Sequence, residues 1–171
     1  GNVVTNDLHY TASLANYLQR KAQGLDVRIV KHRDWQIDLK DMERVVDAKT
    51  KLIAVSWGSC VNGHVENLDR LSDLAHAHGA YLYADIIQGC GAVPLDVKAS
   101  GVDMPSCAMY KWLQGEHGYG FLYLREDLAG TVVKPTEYTG LPDYNYAPWT
   151  MSPKAGEPAF INHTGTGIGA F

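Results

Sequence analysis

Between residue 2 and about residue 124, short apolar runs alternate with amphipathic stretches of helical length. This alternation is typical of βα units, in which helices connect parallel strands of one sheet. It predicts an α/β fold with a mostly parallel sheet and helices on both faces. The predicted strands lie at 2–5, 27–30, 51–56, 81–84, 103–107 and 120–124, the fifth being the weakest.

Three helices are predicted from their apolar spacing and their end signals. The clearest follows Asn67 as N-cap and carries apolar residues every third or fourth position until Gly79 ends it. A second begins after Asp38, and a third runs from about residue 11 to residue 22 and ends at Gly24. Each has one apolar side, so the helices are expected to cover the sheet.

The last predicted strand, in GFLYLRED, follows the preceding one too closely for a crossover helix. It is therefore expected to run antiparallel to its neighbour, which makes the sheet mixed. After about residue 126 the sequence becomes rich in Pro, Gly, Tyr and Thr and loses its periodicity. We therefore divide the chain into an α/β part over 1–126 and an extended segment over 127–171.

Charge and cysteine content narrow the classes of protein. The net charge of −4 and the pI near 5.9 give no basic surface, so nucleic acid is not an expected partner. No apolar run approaches the roughly 18 residues of a membrane span, and the first residues lack signal-peptide order. A cytoplasmic protein is predicted. Cys60, Cys90 and Cys107 lack CxxC spacing, which indicates reduced thiols rather than a disulfide framework or a metal site.

Asp85 follows the almost wholly apolar run AYLYA, so its carboxylate is expected at the C-terminal end of a buried strand. Ligands of α/β proteins bind at such strand ends. One interpretation is a carboxylate that faces a protonated pyridine nitrogen, as in pyridoxal phosphate chemistry. The alternative, which the residue alone supports equally well, is an aspartate that caps a turn or pairs with a structural cation.

Lys111 lies between Tyr110 and Trp112 after the next predicted strand, an apolar setting for a residue type that is seldom buried. A lysine in this setting can attack an aldehyde as a neutral amine. Alone, it is better explained by an aliphatic stem lying along aromatic surface with its charge in water. The pair of Asp85 and Lys111 is more informative, because both are expected at the same edge of one sheet.

Several motifs occur in a specific order from residue 52 onward: a strand, a turn reading SWGSCVNG, a helix ending in AHAHG, then DIIQ, GAVPLDV, YKWLQG and GFLY. This order resembles the cofactor-binding large domain of class V aminotransferases, the fold-type I pyridoxal phosphate enzymes that include cysteine desulfurases, kynureninases and isopenicillin-epimerase-like proteins. The resemblance covers roughly residues 2–126. Because relatives are longer, it implies an incomplete large domain within a larger protein.

The resemblance implies a role for each matching residue. Lys111 is implied as the catalytic residue that holds the cofactor as a Schiff base, and Asp85 as the partner of the ring nitrogen. Gln88 is implied as a donor to the phenolic oxygen, with Ser59 close to the same atom, and Tyr10 as the ring that stacks on the pyridine. Gln88 could equally cap a turn, and Tyr10 could be a core residue.

Two further positions depend on finer comparison within the family. Tyr110 stands directly before the lysine, similar to the kynureninase arrangement in which a tyrosine hydroxyl reaches the phosphate. Thr139, in YTG, lies about where relatives extend a polar loop to the phosphate of a partner subunit. Cys60 replaces an asparagine of the family and is interpreted as a small buried residue. The nucleophilic cysteine of desulfurases would lie beyond residue 171.

These matches predict a pyridoxal-phosphate-dependent enzyme that acts on an amino acid, of lyase, desulfurase, epimerase or transaminase type, and that forms a homodimer. The alternative is a non-catalytic α/β fragment or a small-molecule-binding module without a covalent cofactor. The histidines are interpreted as surface or turn residues: His9, His32, His64, His117 and His163.

Overall fold

The computed structural model describes residues 1–128, which contain a six-stranded sheet in the order β2-β1-β3-β4-β5-β6. The first five strands are parallel to their neighbours, and β6 is antiparallel to β5. The prediction of a mostly parallel mixed sheet is confirmed. The strands are β1 (Asn2–Asn6), β2 (Asp26–Val30), β3 (Thr50–Ser56), β4 (Tyr81–Asp85), β5 (Met104–Ala108) and β6 (Gly120–Leu122).

Three helices connect these strands: α1 (Thr11–Ala22), α2 (Leu39–Val45) and α3 (Leu68–Ala77). The two predicted side-chain caps are present. The Asn67 side chain accepts a hydrogen bond from the Arg70 N–H at 3.0 Å, and the Asp38 side chain accepts one from the Lys40 N–H at 2.9 Å. These bonds satisfy backbone donors that have no partner inside the helix. The helix α1 has no side-chain cap bond and begins directly after Tyr10.

The two faces of the sheet differ in character. On one face, α2 and α3 bury an apolar core that includes Ile53, Val55, Leu82 and Ala84. On the other face, alternate residues of β4 point toward α1, whose Tyr17 hydroxyl lies near Tyr83 and Asp85. Helices therefore cover both faces, as the sequence predicts, but the face beneath α1 carries polar and aromatic side chains.

The chain order reverses between β1 and β3. From β1 the chain moves outward to β2, then crosses back to β3 and continues in the opposite direction through β4 and β5. In open α/β sheets, the crevice at such a reversal, outside the C-terminal ends of the strands, is where ligands bind. The segments that follow β1, β3, β4 and β5 are therefore the ones to examine for a site.

Among the described residues, none of the helices is long and apolar enough to span a bilayer. The extended segment predicted over 127–171, with its candidate residue Thr139, lies outside the described residues from position 129 onward.

Candidate functional site

Two glycines allow the turns after β3, β4 and β5 to approach one another. A Cβ atom at Gly89 would lie 2.5 Å from the buried Trp57 ring. A Cβ atom at Gly91, where φ is +93°, would lie 3.0 Å from the Trp112 carbonyl oxygen. Only glycine avoids both contacts. The turn that follows Asp85 is thereby packed between the turn that contains Trp57 and the turn that contains Lys111.

Asp85 is the last residue of β4 and lies in register with Ser56 of β3 and Ser106 of β5. Its Oδ1 accepts one hydrogen bond, from the Ile87 N–H at 3.1 Å. Burial raises the pKa of this carboxyl, while the Ile87 N–H and the Lys111 charge act in the opposite direction. Within residues 1–128 no other group donates to it, so the carboxylate is partly desolvated and has unused acceptor capacity there.

Asp103 lies at the other end of the strand pair β4 and β5, and its hydrogen bonds can be compared with those of Asp85. It is 0% exposed, and Oδ2 accepts hydrogen bonds from the Leu82 N–H at 2.6 Å and from His76 Nε2 at 3.0 Å. Its Oδ1 is paired with the Arg125 guanidinium. A structural aspartate in this sheet is thus fully bonded, as buried carboxylates must be. Asp85 is not, and the turn-cap interpretation explains only its bond to Ile87.

Lys111 lies in the turn between β5 and β6, which is closed by hydrogen bonds from the Gln114 N–H to the Lys111 carbonyl and from the Gly115 N–H to the Met109 carbonyl, both 2.9 Å. Its Nζ is 5.8 Å from the ring centroid of Tyr10 and 5.8 Å from that of Tyr110. Within residues 1–128 it forms no ion pair, although its charge is close enough to lower the pKa of Asp85. The carboxylate and the amine therefore lie at one edge of the sheet, next to two aromatic rings.

The remaining candidates differ in how closely they join this group. Tyr10 is 42% exposed, with its ring beside the Lys111 amine. Tyr110 is stacked on His117 with ring centroids 4.5 Å apart. Ser59 is buried, and its Oγ accepts a hydrogen bond from the Val61 N–H at 3.1 Å.

Gln88 follows β4 in the same turn as Ile87, and its Cβ would be 3.1 Å from a Cβ atom at Gly58. Its side-chain amide has no hydrogen-bond partner within the described part of the chain. The amide therefore does not cap a turn there. Thr139 lies outside the described residues.

Two side chains differ from their sequence-based interpretation. His9, interpreted as a surface or turn histidine, is 3% exposed and contacts Ser56 Oγ through Nδ1 at 2.8 Å. Cys60, interpreted as buried, is exposed. The burial of His9 depends on Ser56, which is distant in sequence, and the exposure of Cys60 depends on the path of the turn after β3. Local composition determines neither.

Polar residues that were not predicted as site residues lie on the same face of the sheet as Asp85. Tyr83 and Ser106 share a hydrogen bond of 2.7 Å between their hydroxyl oxygens. Ser56 and Ser106 flank Asp85 in the sheet. Ser56 left a usable signal, because it ends the apolar strand β3 as Asp85 ends β4, whereas Ser106 lies in the middle of β5.

All three cysteines of the chain are free, and Cys107 lies close enough to Lys111 for the lysine charge to act on its thiol. Burial, followed by the proximity of Cys90, raises the pKa of the Cys107 thiol to about 12. At neutral pH this thiol is protonated, and the thiolate is the nucleophilic form. Among residues 1–128, no three His, Cys, Asp or Glu side chains are grouped as metal ligands.

The site has three of the chemical groups with which a protein holds pyridoxal phosphate. A pyridinium N–H would use the free acceptor capacity of Asp85, an amine without an ion pair is available in Lys111, and the Tyr10 ring offers an aromatic face beside that amine. The residues present therefore fit this cofactor at the C-terminal edge of the sheet.

The fold and the site define an α/β domain with a carboxylate and an amine at adjacent strand ends. The family model for aminotransferase class-V matches residues 1–165. The chain belongs to the class-V aminotransferase family, as the order of its sequence motifs predicts.

Several relatives of known name match over most of this chain. A cysteine desulfurase of Klebsiella pneumoniae is 28% identical over 143 residues, which cover 83% of this chain and 35% of the relative. A probable cysteine desulfurase of Methanothermobacter thermautotrophicus is 31% identical over 130 residues, which cover 75% of this chain and 32% of the relative. An uncharacterized aminotransferase of Bacillus subtilis, YcbU, is 28% identical over 165 residues, which cover 94% of this chain and 44% of the relative.

Solved structures give the same fold. The cysteine desulfurase CsdA of Escherichia coli superposes with a TM-score of 0.69 at 23% identity, over 75% of this chain and 32% of that protein. The apo cysteine desulfurase of Thermococcus onnurineus NA1 gives a TM-score of 0.65 at 26% identity, over 75% of this chain and 33% of that protein. The chain thus spans about a third of the length of these proteins.

Proposed function

We propose that this chain holds pyridoxal phosphate at the C-terminal edge of its sheet and contributes the catalytic lysine of an enzyme that acts on an amino acid. The observation that carries the proposal is the convergence of an under-bonded carboxylate, Asp85, with an amine, Lys111, that lies 5.8 Å from the Tyr10 ring centroid. Membership of the class-V aminotransferase family supports it.

Pyridoxal phosphate, when bound, supplies an electron-withdrawing ring that stabilises negative charge at the α-carbon of an amino acid. Asp85 would pair with the ring N–H and keep it protonated, because opposite charges favour the ionised form of each group. Lys111 would hold the cofactor by a bond from its amine to the aldehyde carbon, with the aldehyde oxygen leaving as water. When not bonded to the cofactor, the same amine would take or return the proton at the substrate α-carbon as a general base.

Four other residues complete the proposed site. Gln88, whose amide is unengaged, donates to the phenolic oxygen of the cofactor, with Ser59 beside it. The exposed Tyr110 hydroxyl reaches the phosphate. Thr139 is proposed as a phosphate contact made across a homodimer interface, by resemblance alone. In this proposal residues 1–126 form part of the cofactor-binding domain, and 127–171 lead toward the rest of the protein.

The reaction is proposed as a lyase, desulfurase, epimerase or transaminase type. The relatives named above favour carbon–sulfur chemistry, since most are cysteine desulfurases. The protonated Cys107 is unsuited to the nucleophilic role. Three free thiols support the further proposal of a cytoplasmic location.

Titration with pyridoxal phosphate tests the proposal in the chain as it stands. The absorbance change that accompanies attachment to an amine should appear in the wild-type chain and in Lys98→Ala, a matched control at an exposed lysine. It should be absent in Lys111→Ala. An equal absorbance change in Lys111→Ala, or none in the wild-type chain, would contradict the proposal.

A further inference from the structure

His9 and Ser56 form a buried pair directly behind Tyr10. His9 is 3% exposed and Ser56 is 8% exposed, and the distance from Nδ1 to Oγ is 2.8 Å. The Tyr10 N–H donates to both atoms, at 2.9 Å to His9 Nδ1 and at 3.0 Å to Ser56 Oγ. The backbone of Tyr10 is thus held by a residue of its own segment and by the end of β3, 46 positions away.

The roles of these atoms depend on the tautomer of the imidazole. The Tyr10 N–H can donate to Nδ1 only when that nitrogen carries a lone pair and the ring hydrogen is on Nε2; with the hydrogen on Nδ1, the ring donates to Ser56 Oγ instead. Burial lowers the pKa of His9 to about 4, which keeps the ring neutral at physiological pH. Within residues 1–128 the buried Nε2 has no hydrogen-bond partner. The bonds at Nδ1 are therefore what His9 contributes.

Tyr10 needs this support because of its place in the chain. It stands at the N-terminal boundary of α1 and has no side-chain cap bond of its own. Its ring is partly exposed, and the ring is the part that lies beside the Lys111 amine. Fixing the backbone N–H limits the direction in which the ring can leave the chain.

The same strand end also sets the position of Asp85. Ser56 and Asp85 are paired in register between β3 and β4, and the Trp57 N–H donates to the Asp85 carbonyl at 2.9 Å. The Tyr10 N–H is therefore hydrogen-bonded to the residue of β3 that is paired in register with Asp85. This gives the backbone of Tyr10 a defined position relative to Asp85.

We propose that His9 and Ser56 are positioning residues that hold the Tyr10 ring against the face of the bound cofactor. The inference rests on the proposed function, since it assumes that a flat ring lies between Tyr10 and the strand ends. It adds two residues to the site, neither of which touches the cofactor itself.

Amide hydrogen exchange of Tyr10 tests the hydrogen bonds without any cofactor. Ser56→Ala should speed Tyr10 exchange about tenfold, the loss expected for one hydrogen bond, and Ser56→Thr should restore protection. Likewise His9→Leu should speed exchange, whereas His9→Asn keeps an acceptor at the δ1 position and should not. Ser72→Ala is the matched control, because Ser72 is equally buried and its hydroxyl has no partner within the described residues.

Cofactor affinity in a double-mutant cycle tests whether the pair acts through the Tyr10 ring. Ser56→Ala should weaken pyridoxal phosphate binding about fivefold to tenfold in the wild-type chain and have no further effect in the Tyr10→Leu chain. Equal weakening in both backgrounds would overturn the positioning role. Unchanged affinity in Tyr10→Leu alone would also overturn it, while attachment to Lys111 would still stand. Absence of attachment in the wild-type chain would instead contradict the proposed function, with the exchange data unaffected.

Discussion

Replacing Asp85 by asparagine should stabilise the chain while weakening its hold on the cofactor. Asparagine has the same shape and keeps an Oδ1 acceptor for the Ile87 N–H, so the one existing hydrogen bond survives. What disappears is a charge that burial disfavours, as the raised pKa of this carboxyl indicates. A residue kept for ligand binding at the expense of stability behaves in this way.

The size of the gain follows from the surroundings of the carboxylate. A buried charged group without its full set of hydrogen bonds costs about 1–3 kcal/mol. The nearby Lys111 charge offsets part of that cost, so the expected gain for Asp85→Asn is about 1 kcal/mol in the free energy of unfolding. With a typical dependence on urea, this moves the unfolding midpoint upward by roughly 0.5 M.

Urea unfolding followed by tryptophan fluorescence measures the gain in stability, because Trp57 is only 4% exposed and packs against the turn after Asp85.

The gain in stability from Asp85→Asn should depend on pH. The folded chain binds the Asp85 proton more tightly than the unfolded chain, so the carboxylate begins to destabilise as pH rises above about 3.9. The gain from asparagine should therefore be small near pH 4 and complete above the folded pKa.

Asp103→Asn is the matched control and should have the opposite sign. It removes the charge partner of Arg125 and His76 in a fully bonded buried cluster, which costs about 3–5 kcal/mol. If Asp85→Asn also lowers the midpoint, then Asp85 is a structural ion like Asp103. The inference that its acceptor capacity is reserved for a ligand would then be wrong.

Three further predictions concern the frame of the site. Gly91→Ala should cost about 1–3 kcal/mol more than Gly63→Ala in urea unfolding, because both have positive φ but only Gly91 is packed against backbone; equal losses would refute the close approach. In native chain treated with iodoacetamide near neutral pH, intact mass and peptide mapping should show Cys60 modified well before Cys107, whose pKa is raised to about 12 by burial; the reverse order would contradict the assigned burial. Asn67→Ala should lower the free energy of unfolding by about 1 kcal/mol through loss of the α3 cap; no loss would show that the cap bond is dispensable.

Much of the fold was predictable because its signals are local. The helix α1 has the predicted limits, and the Asn67 and Asp38 caps lie where their side chains indicate. The strand β5 was the weakest prediction because MPSCA includes a proline and a serine. The strand β6 ends at Leu122, two residues earlier than predicted, although the Tyr123 and Arg125 N–H groups still donate to the Pro105 and Asp103 carbonyls at 2.9 and 3.0 Å.

The candidate site was only partly predictable from the sequence. Asp85 and Lys111 could be placed at one sheet edge, since Asp85 ends a recognisable strand and Lys111 follows closely after the next one. The burial of His9 could not, because it depends on Ser56, 47 positions away. The unequal bonding of Asp85 and Asp103 was also inaccessible, since both residues adjoin apolar strands and only the tertiary partners distinguish them.

The attachment point of the cofactor most directly tests whether Asp85 and Lys111 form one site. Wild-type chain is mixed with pyridoxal phosphate and reduced with borohydride, and the modified lysine is located by peptide mass spectrometry. We expect one dominant modification, at Lys111, that diminishes sharply in Asp85→Asn. Modification spread over exposed lysines, or equally strong in Lys111→Ala, would contradict it.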